Sequence, residues 1–307
     1  MSKILITDDL FILPRHEEML REAGFGNLVR IGGAASEDEL CDAICGAEGY
    51  IIGGIETVTA RVIAAGAPSL RAIAFTGTGY REFIPGHEEA TRRGIKITNA
   101  PGANAAAVAE FTLALILPMV RRIPEISGDV GIKTFEAPDF EDTTIAVIGY
   151  GEIGRRVAAM LKGLGFQVIV TGRGGRAQQD GFEQVTITEA TSRADVVTIH
   201  VSKEHGENVL DASVINELKA GAIVVNAAFP EAVDQEALAE RIRSGELRAA
   251  FDKAMTLKDK SFEPGRYIES KLQSGFYTRR AIEKTSAMAT RSLLNVLTTG
   301  SDEHVVN

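Results

Sequence analysis

Short apolar runs alternate with amphipathic stretches through the first hundred residues. Runs at 4–7, 28–31, 50–53, 72–75 and 96–98 predict strands, and segments with one polar face at 16–23, 37–44, 60–65 and 88–93 predict the helices between them. The second helix opens on Ser36 followed by Glu37, Asp38 and Glu39, an order in which the serine caps the helix and a glutamate bonds back to the cap. Regular alternation of strand and helix predicts a parallel sheet, because parallel neighbours need a crossover and cannot be joined by a tight hairpin.

An alanine-rich helical pattern at 105–122 follows Asn99-Ala-Pro-Gly-Ala-Asn104 and is long enough to carry the chain from one domain to another. Pro124, Gly128, Gly131 and Pro138 then mark a loop, and a second alternating series begins at Thr143. Its strands are predicted at 145–148, 168–170, 196–200, 223–226 and 249–252, with helices at 155–164, 188–192, 213–218 and 236–244. A last helix at 285–297 is placed to return the chain to the first domain. The expectation is two α/β parallel-sheet domains, Rossmann-like or flavodoxin-like: residues 1–103 with 280–307, and residues 104–279. A length of 307 residues suits that division, since each part can bury its own core.

Composition narrows the function classes. With 45% hydrophobic and 24% charged residues the chain matches ordinary globular proteins, which excludes disorder. Acidic residues number 42 against 33 basic ones, for a net charge of −9, and no run of basic residues faces a phosphate backbone, so no nucleic-acid partner is expected. The most apolar stretch, 111–120, is about half of what a membrane crossing needs and contains Pro118, so no membrane partner is expected either. The opening residues lack the apolar core of a secretory leader, and a cytoplasmic location is the expectation. Cys41 and Cys45 stand four apart without a nearby histidine; they read as helix packing residues, and no metal site is expected.

The pattern richest in chemistry is Gly149-Tyr150-Gly151-Glu152-Ile153-Gly154, which follows an apolar strand directly and opens a helix. In that context the first glycine makes a tight turn, the second lets a pyrophosphate approach the backbone, and the third lets helix pack on strand. An acid about 20 positions onward would bond the adenosine ribose and repel a phosphate there. This chain instead reads Thr171-Gly172-Arg173-Gly-Gly-Arg176, with glycine at the expected acid and two arginines beyond it. Guanidinium groups match a phosphate bidentately, so NADP(H) is favoured over NAD(H). The competing reading is a pair of solvated arginines beyond a strand.

With these pieces placed, the chain resembles the D-isomer-specific 2-hydroxyacid dehydrogenases, the family of phosphoglycerate dehydrogenase and the glyoxylate and hydroxypyruvate reductases. The likeness rests on Gly53-Gly-Ile-Glu-Thr-Val-Thr59, Gly77-Thr78-Gly79-Tyr80, the 98–104 run with Val108-Ala-Glu110, the glycine motif, and Gly221-Ala-Ile-Val-Val-Asn226 followed by Val233-Asp234. The resemblance implies a substrate cleft between two domains, a homodimer and a small-molecule substrate. It implies a substrate carboxylate held by backbone N–H groups of Gly77, Thr78 and Gly79. It also extends the cofactor site to His200, Val201 and Asp252, the last facing the nicotinamide.

The family's catalytic set does not carry over. Its arginine falls on Phe229, with Pro230 where glycine is usual; its glutamate falls near Leu257; and its proton-donating histidine falls on or near Gln273. The five histidines, His16, His87, His200, His205 and His304, leave none in that segment. Phe229, Met255, Leu257 and Phe276 are expected to make the cleft more apolar, so the expected acceptor is a ketone, an imine or an activated double bond rather than a simple 2-oxo acid. Tyr277, Lys253 and Gln273 are the candidates for the missing catalytic role. The alternatives are an NADP(H)-binding regulatory or partner protein, and an enzyme of another reaction class on the same fold.

Overall fold

The computed structural model describes residues 2–8, 12–127 and 136–307, so Gly128 and Gly131 of the predicted loop lie outside the described residues. The chain divides into two compact units, Met1–Asn104 with Tyr277–Asn307, and Ala105–Phe276. The first unit carries strands β1 (Lys3–Thr7), β2 (Asn27–Ile31), β3 (Ala47–Ile52), β4 (Ala72–Phe75) and β5 (Lys96–Thr98). They pair in parallel in the order β2-β1-β3-β4-β5. Leu40, Ile44, Val62 and Ile63 cover one face of this sheet. Leu20, Leu293, Val296 and Leu297 cover the other.

The last helix, Arg279–Thr299, is longer than its apolar repeat predicts. Thr278 caps it by accepting the Ala281 N–H at 3.2 Å, and Gly300 ends it with φ of 88°. Gly49 of β3 lets it lie close: a Cβ there would meet Leu293 and Leu297, each at 3.1 Å. At the helix Glu37–Ile44, Ser36 and Glu39 form the reciprocal cap that their spacing predicts. Cys41 packs against the core, but Cys45 does not: it follows the last helical residue and is exposed, its thiol donating to the Cys41 carbonyl at 3.2 Å.

The second unit has seven strands, β6 (Thr144–Ile148), β7 (Gln167–Thr171), β8 (Glu183–Gln184), β9 (Val196–Ile199), β10 (Ile223–Asn226), β11 (Arg248–Phe251) and β12 (Tyr267–Glu269). All are parallel, in the order β12-β11-β10-β9-β6-β7-β8. The order reverses between β6 and β9, and in open α/β sheets ligands bind beyond the strand ends at such a reversal. The four residues of β9 and of β10 are buried, as strands covered on both faces must be, which is why they read as unbroken apolar runs. The edge strands β8 and β12 and the helix Ile123–Ser127 have no counterpart in the apolar pattern.

Candidate functional site

The turn after β6 is built as a ligand cradle. Gly149 has φ of 97°, and a Cβ there would sit 2.5 Å from the His200 carbonyl oxygen; a Cβ at Gly154 would sit 1.9 Å from the Gly149 carbonyl oxygen. Both positions therefore require glycine. Gly151 differs, since a Cβ there would meet nothing within 4 Å, and the space in front of it is open. It precedes the helix Glu152–Gly163, whose N-terminus no side chain caps. Unpaired N–H groups and the positive end of the helix dipole thus face that space, which suits a pyrophosphate. Glu152 turns back to Arg155, at 2.9 Å, and Ile153 packs against the core.

Across the turn, Thr171 ends β7 buried and its carbonyl accepts the Gly149 N–H at 3.1 Å. Arg173 and Arg176 are exposed, and the guanidinium of neither makes a hydrogen bond or salt bridge among the described residues. Tyr150 lies over this end of the site. Its ring packs on Phe182 with centroids 5.8 Å apart, and its hydroxyl donates to Asp180 at 2.9 Å. Burial, then the bond to Asp180, pushes its phenol up to about 12. Asp180 and Phe182 were not legible as site residues, because neither stands at a motif spacing.

At the end of β9, His200 is enclosed, with Nε2 against the Thr198 hydroxyl at 2.9 Å and Nδ1 buried without a partner among the described residues. Burial holds the imidazole neutral, its pKa pushed down to about 3. Val201 packs beside the turn, 3.2 Å from where a Gly149 Cβ would be. Asp252, 1% exposed at the end of β11, accepts the Ser274 N–H at 2.8 Å and the Gly275 N–H at 3.0 Å. Burial raises its carboxyl above the usual range, and these two amides oppose the rise. In the same turn Gln273 is exposed and donates its amide to the Ala228 carbonyl at 3.3 Å. Lys253 is exposed.

Two expected lining residues belong to the core instead. Met255 is buried at 3% exposure, and Leu257 packs against the same cluster. Phe229 also packs against that cluster, while its carbonyl accepts the Asn226 side-chain amide at 2.8 Å. Apolar side chains at these positions fold inward because burial removes them from water, whereas a charged group would face out.

In the first unit the turn after β4 presents Thr78 and Gly79 to solvent, with Gly77 half-buried. The Gly77 carbonyl accepts the Ala100 N–H at 2.8 Å and the Thr78 carbonyl accepts the Asn99 amide at 2.9 Å, but the three N–H groups of 77, 78 and 79 have no partner among the described residues. That arrangement suits an oxyanion or carboxylate. Tyr277, the first residue of the returning segment, is 48% exposed.

Residues 113–258 match the family described as D-isomer specific 2-hydroxyacid dehydrogenase, NAD binding domain. That match assigns residues 113–258 to the NAD binding domain of this family. It is 33% identical over 239 residues to a D-3-phosphoglycerate dehydrogenase of Mycobacterium leprae (strain TN), an alignment covering 74% of this chain and 45% of the relative. The chain thus spans about half the length of the curated relatives it matches. The NAD+-bound 3-phosphoglycerate dehydrogenase of Entamoeba histolytica shares the fold, with a TM-score of 0.83 and 23% identity over 100% of this chain and 98% of that one. An acyclic imino acid reductase solved with NADPH and D-Arg shares it as well, with a TM-score of 0.86 and 21% identity over 100% of both chains.

The residues present fit the nicotinamide dinucleotide that the family binds. The open face of Gly151, the uncapped helix and the unpartnered Nδ1 of His200 are all features a ligand would complete. Among the described residues, no helix is long and apolar enough to cross a membrane, and no group of three or more His, Cys, Asp or Glu side chains could hold a metal ion.

Proposed function

We propose that the protein is an NADP(H)-dependent oxidoreductase whose acceptor is a ketone, an imine or an activated double bond rather than a simple 2-oxo acid. One observation carries the cofactor choice: β7 ends at Thr171 and is followed by Gly172 with no acid, and the guanidinium groups of the two arginines beyond are exposed and uncommitted among the described residues. A carboxylate at that place would repel a ribose phosphate, and two guanidinium groups attract one.

When bound, the nicotinamide supplies or accepts the hydride. The protein's part is holding and orienting. Gly151 and the helix start at Glu152 would hold the pyrophosphate, and Arg173 and Arg176 the terminal phosphate. The buried His200 and Val201 would border the nicotinamide end. The N–H groups of Gly77, Thr78 and Gly79 would hold an oxygen of the substrate. Asp252 fixes the turn that carries Gln273 by binding two of its backbone amides. For the proton, the Tyr277 hydroxyl and the Lys253 amine are the candidates able to give one up; an amide such as that of Gln273 can only donate a hydrogen bond.

The acceptor class follows from the place where the family has its arginine. Phe229 stands there and packs on the core, which removes a fixed cation from the site. A charge-assisted hydrogen bond is worth roughly 1.5–3 kcal/mol, so recognition of a 2-oxo acid is weakened accordingly. The fold also carries the imine chemistry of the imino acid reductase named above, which supports an imine in the set of acceptors to test. A cytoplasmic homodimer acting on a small molecule, with neither nucleic acid nor membrane as partner, completes the proposal.

Calorimetry of the purified protein with NADPH and NADH, followed by NADPH consumption against a panel of ketones, imines and activated alkenes, tests this reading. Tighter binding of NADPH together with turnover of at least one acceptor is expected. NADPH binding without any turnover would favour the second reading, a cofactor-binding regulatory protein. That reading draws support from Gln273 standing at the place of the proton donor.

A further inference from the structure

We propose that the acceptor this protein reduces is an iminium ion, the protonated form of an imine, and that the side-chain oxygen of Gln273 receives its N–H. The inference rests on the reading above and deepens it, by choosing among the three acceptor classes.

The argument starts from the groups presented where β10 and β11 end, next along the sheet to the end of β9. Their donors are largely consumed inside the protein. Asn226 gives its amide N–H to the Phe229 carbonyl at 2.8 Å, and its oxygen takes the Ala228 N–H at 2.9 Å. The Ser274 hydroxyl donates to the Leu272 carbonyl at 2.9 Å, and the backbone N–H groups of Ser274 and Gly275 go to Asp252. Gln273 donates to the Ala228 carbonyl at 3.3 Å, which fixes the way its amide faces, because the flipped amide would set oxygen against oxygen. Its Oε1 is left exposed, with no partner among the described residues. What this end of the sheet holds out is therefore mostly acceptors. The second N–H of Gln273 can bond a carbonyl oxygen, but an amide yields no proton.

Charge favours the same substrate. Among the described residues, the charged group buried against the turn is the Asp252 carboxylate, 1% exposed. The cations flanking it in sequence, Lys253 and Lys271, are exposed and screened by water. His200 adds no charge, since burial pushes it down to about 3, and Phe229 packs on the core. Reduction of a ketone builds negative charge on oxygen, which a buried carboxylate opposes, and it then needs a proton. An iminium ion arrives with its proton. Hydride supplied by the bound nicotinamide forms the new C–H bond, the C=N π pair retires to nitrogen as its lone pair, and a neutral amine results with no proton transferred in the step.

The test offers a panel of ketones to the protein with NADPH, each alone and with methylamine, which forms the imine in solution. NADPH consumption that requires the amine is expected. A ketone reduced as fast without amine overturns the proposal, and so does a panel without turnover in either arm while calorimetry shows NADPH bound. Failure of NADPH to bind would instead remove the earlier reading. For Gln273, methylamine is compared with dimethylamine, whose iminium ion has no N–H. Gln273→Leu is expected to slow the methylamine reaction by on the order of tenfold more than the dimethylamine reaction. Equal slowing of both would deny the contact. A binding arm without turnover uses the products: with NADP+ present, the amine is expected to bind more tightly than the matching alcohol, and Gln273→Leu to erase that margin. Alcohol binding as tight as amine binding in the wild type overturns the proposal even where the variant fails to fold.

Discussion

The Asp252 carboxylate accepts the backbone N–H of Gly275 at 3.0 Å, and a Cβ at 275 would lie only 2.8 Å from its Oδ2. Burial of the acid, its two amide bonds and the glycine are parts of one device that seats the turn against the end of β11. Gly275→Ala must displace either the turn or the carboxylate. The expected cost is about 1–3 kcal/mol by urea unfolding, the range for overfilling a packed site. A change below a few tenths of a kcal/mol would mean that the turn moves freely.

Arg173→Ala is expected to weaken NADPH by roughly tenfold or more, the equivalent of one charge-assisted hydrogen bond, and to leave NADH nearly unchanged. Calorimetry with the two cofactors reads the difference directly. Equal weakening of both would show that the guanidinium serves the shared part of the molecule and not the phosphate.

His200 makes stability depend on pH. Its folded pKa, about 3, lies below the ordinary 6.5, so the unfolded chain binds the proton more readily. Its contribution is fully present above 6.5 and is lost as the pH falls toward 3, by on the order of 1.4 kcal/mol per pH unit. His200→Gln is expected to flatten that part of the profile, measured as the difference between mutant and wild type in urea titrations. Parallel profiles would assign the pH dependence elsewhere.

Should the proton come from Tyr277, Tyr277→Phe slows turnover by about 100-fold or more and leaves the NADPH dissociation constant unchanged. Lys253→Met, made alongside, then has little effect. The reverse outcome transfers the role to the lysine.

How far these features are legible in the sequence depends on what fixes them. The glycine turn is fully legible, because a tight turn, an open approach and a close packing contact each demand a residue type at a set spacing. Strands β6, β9 and β10 are legible because both faces are buried. Strand β8 is not: its two residues, Glu183 and Gln184, are polar and sit at the sheet edge, held by partners distant in sequence. The role of Asp180 is invisible for the same reason, since it is defined by the residue it bonds and not by its neighbours. Met255 and Leu257 show the opposite limit. Their apolar character is plain from the sequence, but hydrophobicity alone does not distinguish a ligand-facing wall from the interior, and here the interior claims them.

The way the chain returns to its first unit has a consequence for biosynthesis. Leu293, Val296 and Leu297 fill one side of the β1–β5 sheet, yet they are made after the whole of the second unit. The contiguous unit Ala105–Phe276 can complete itself on the ribosome, while the five strands made before it wait with an apolar face uncovered until the helix Arg279–Thr299 emerges. A chain released before residue 293 would therefore carry a finished nucleotide domain joined to a sticky, half-built one, the kind of species that chaperones hold and proteases remove.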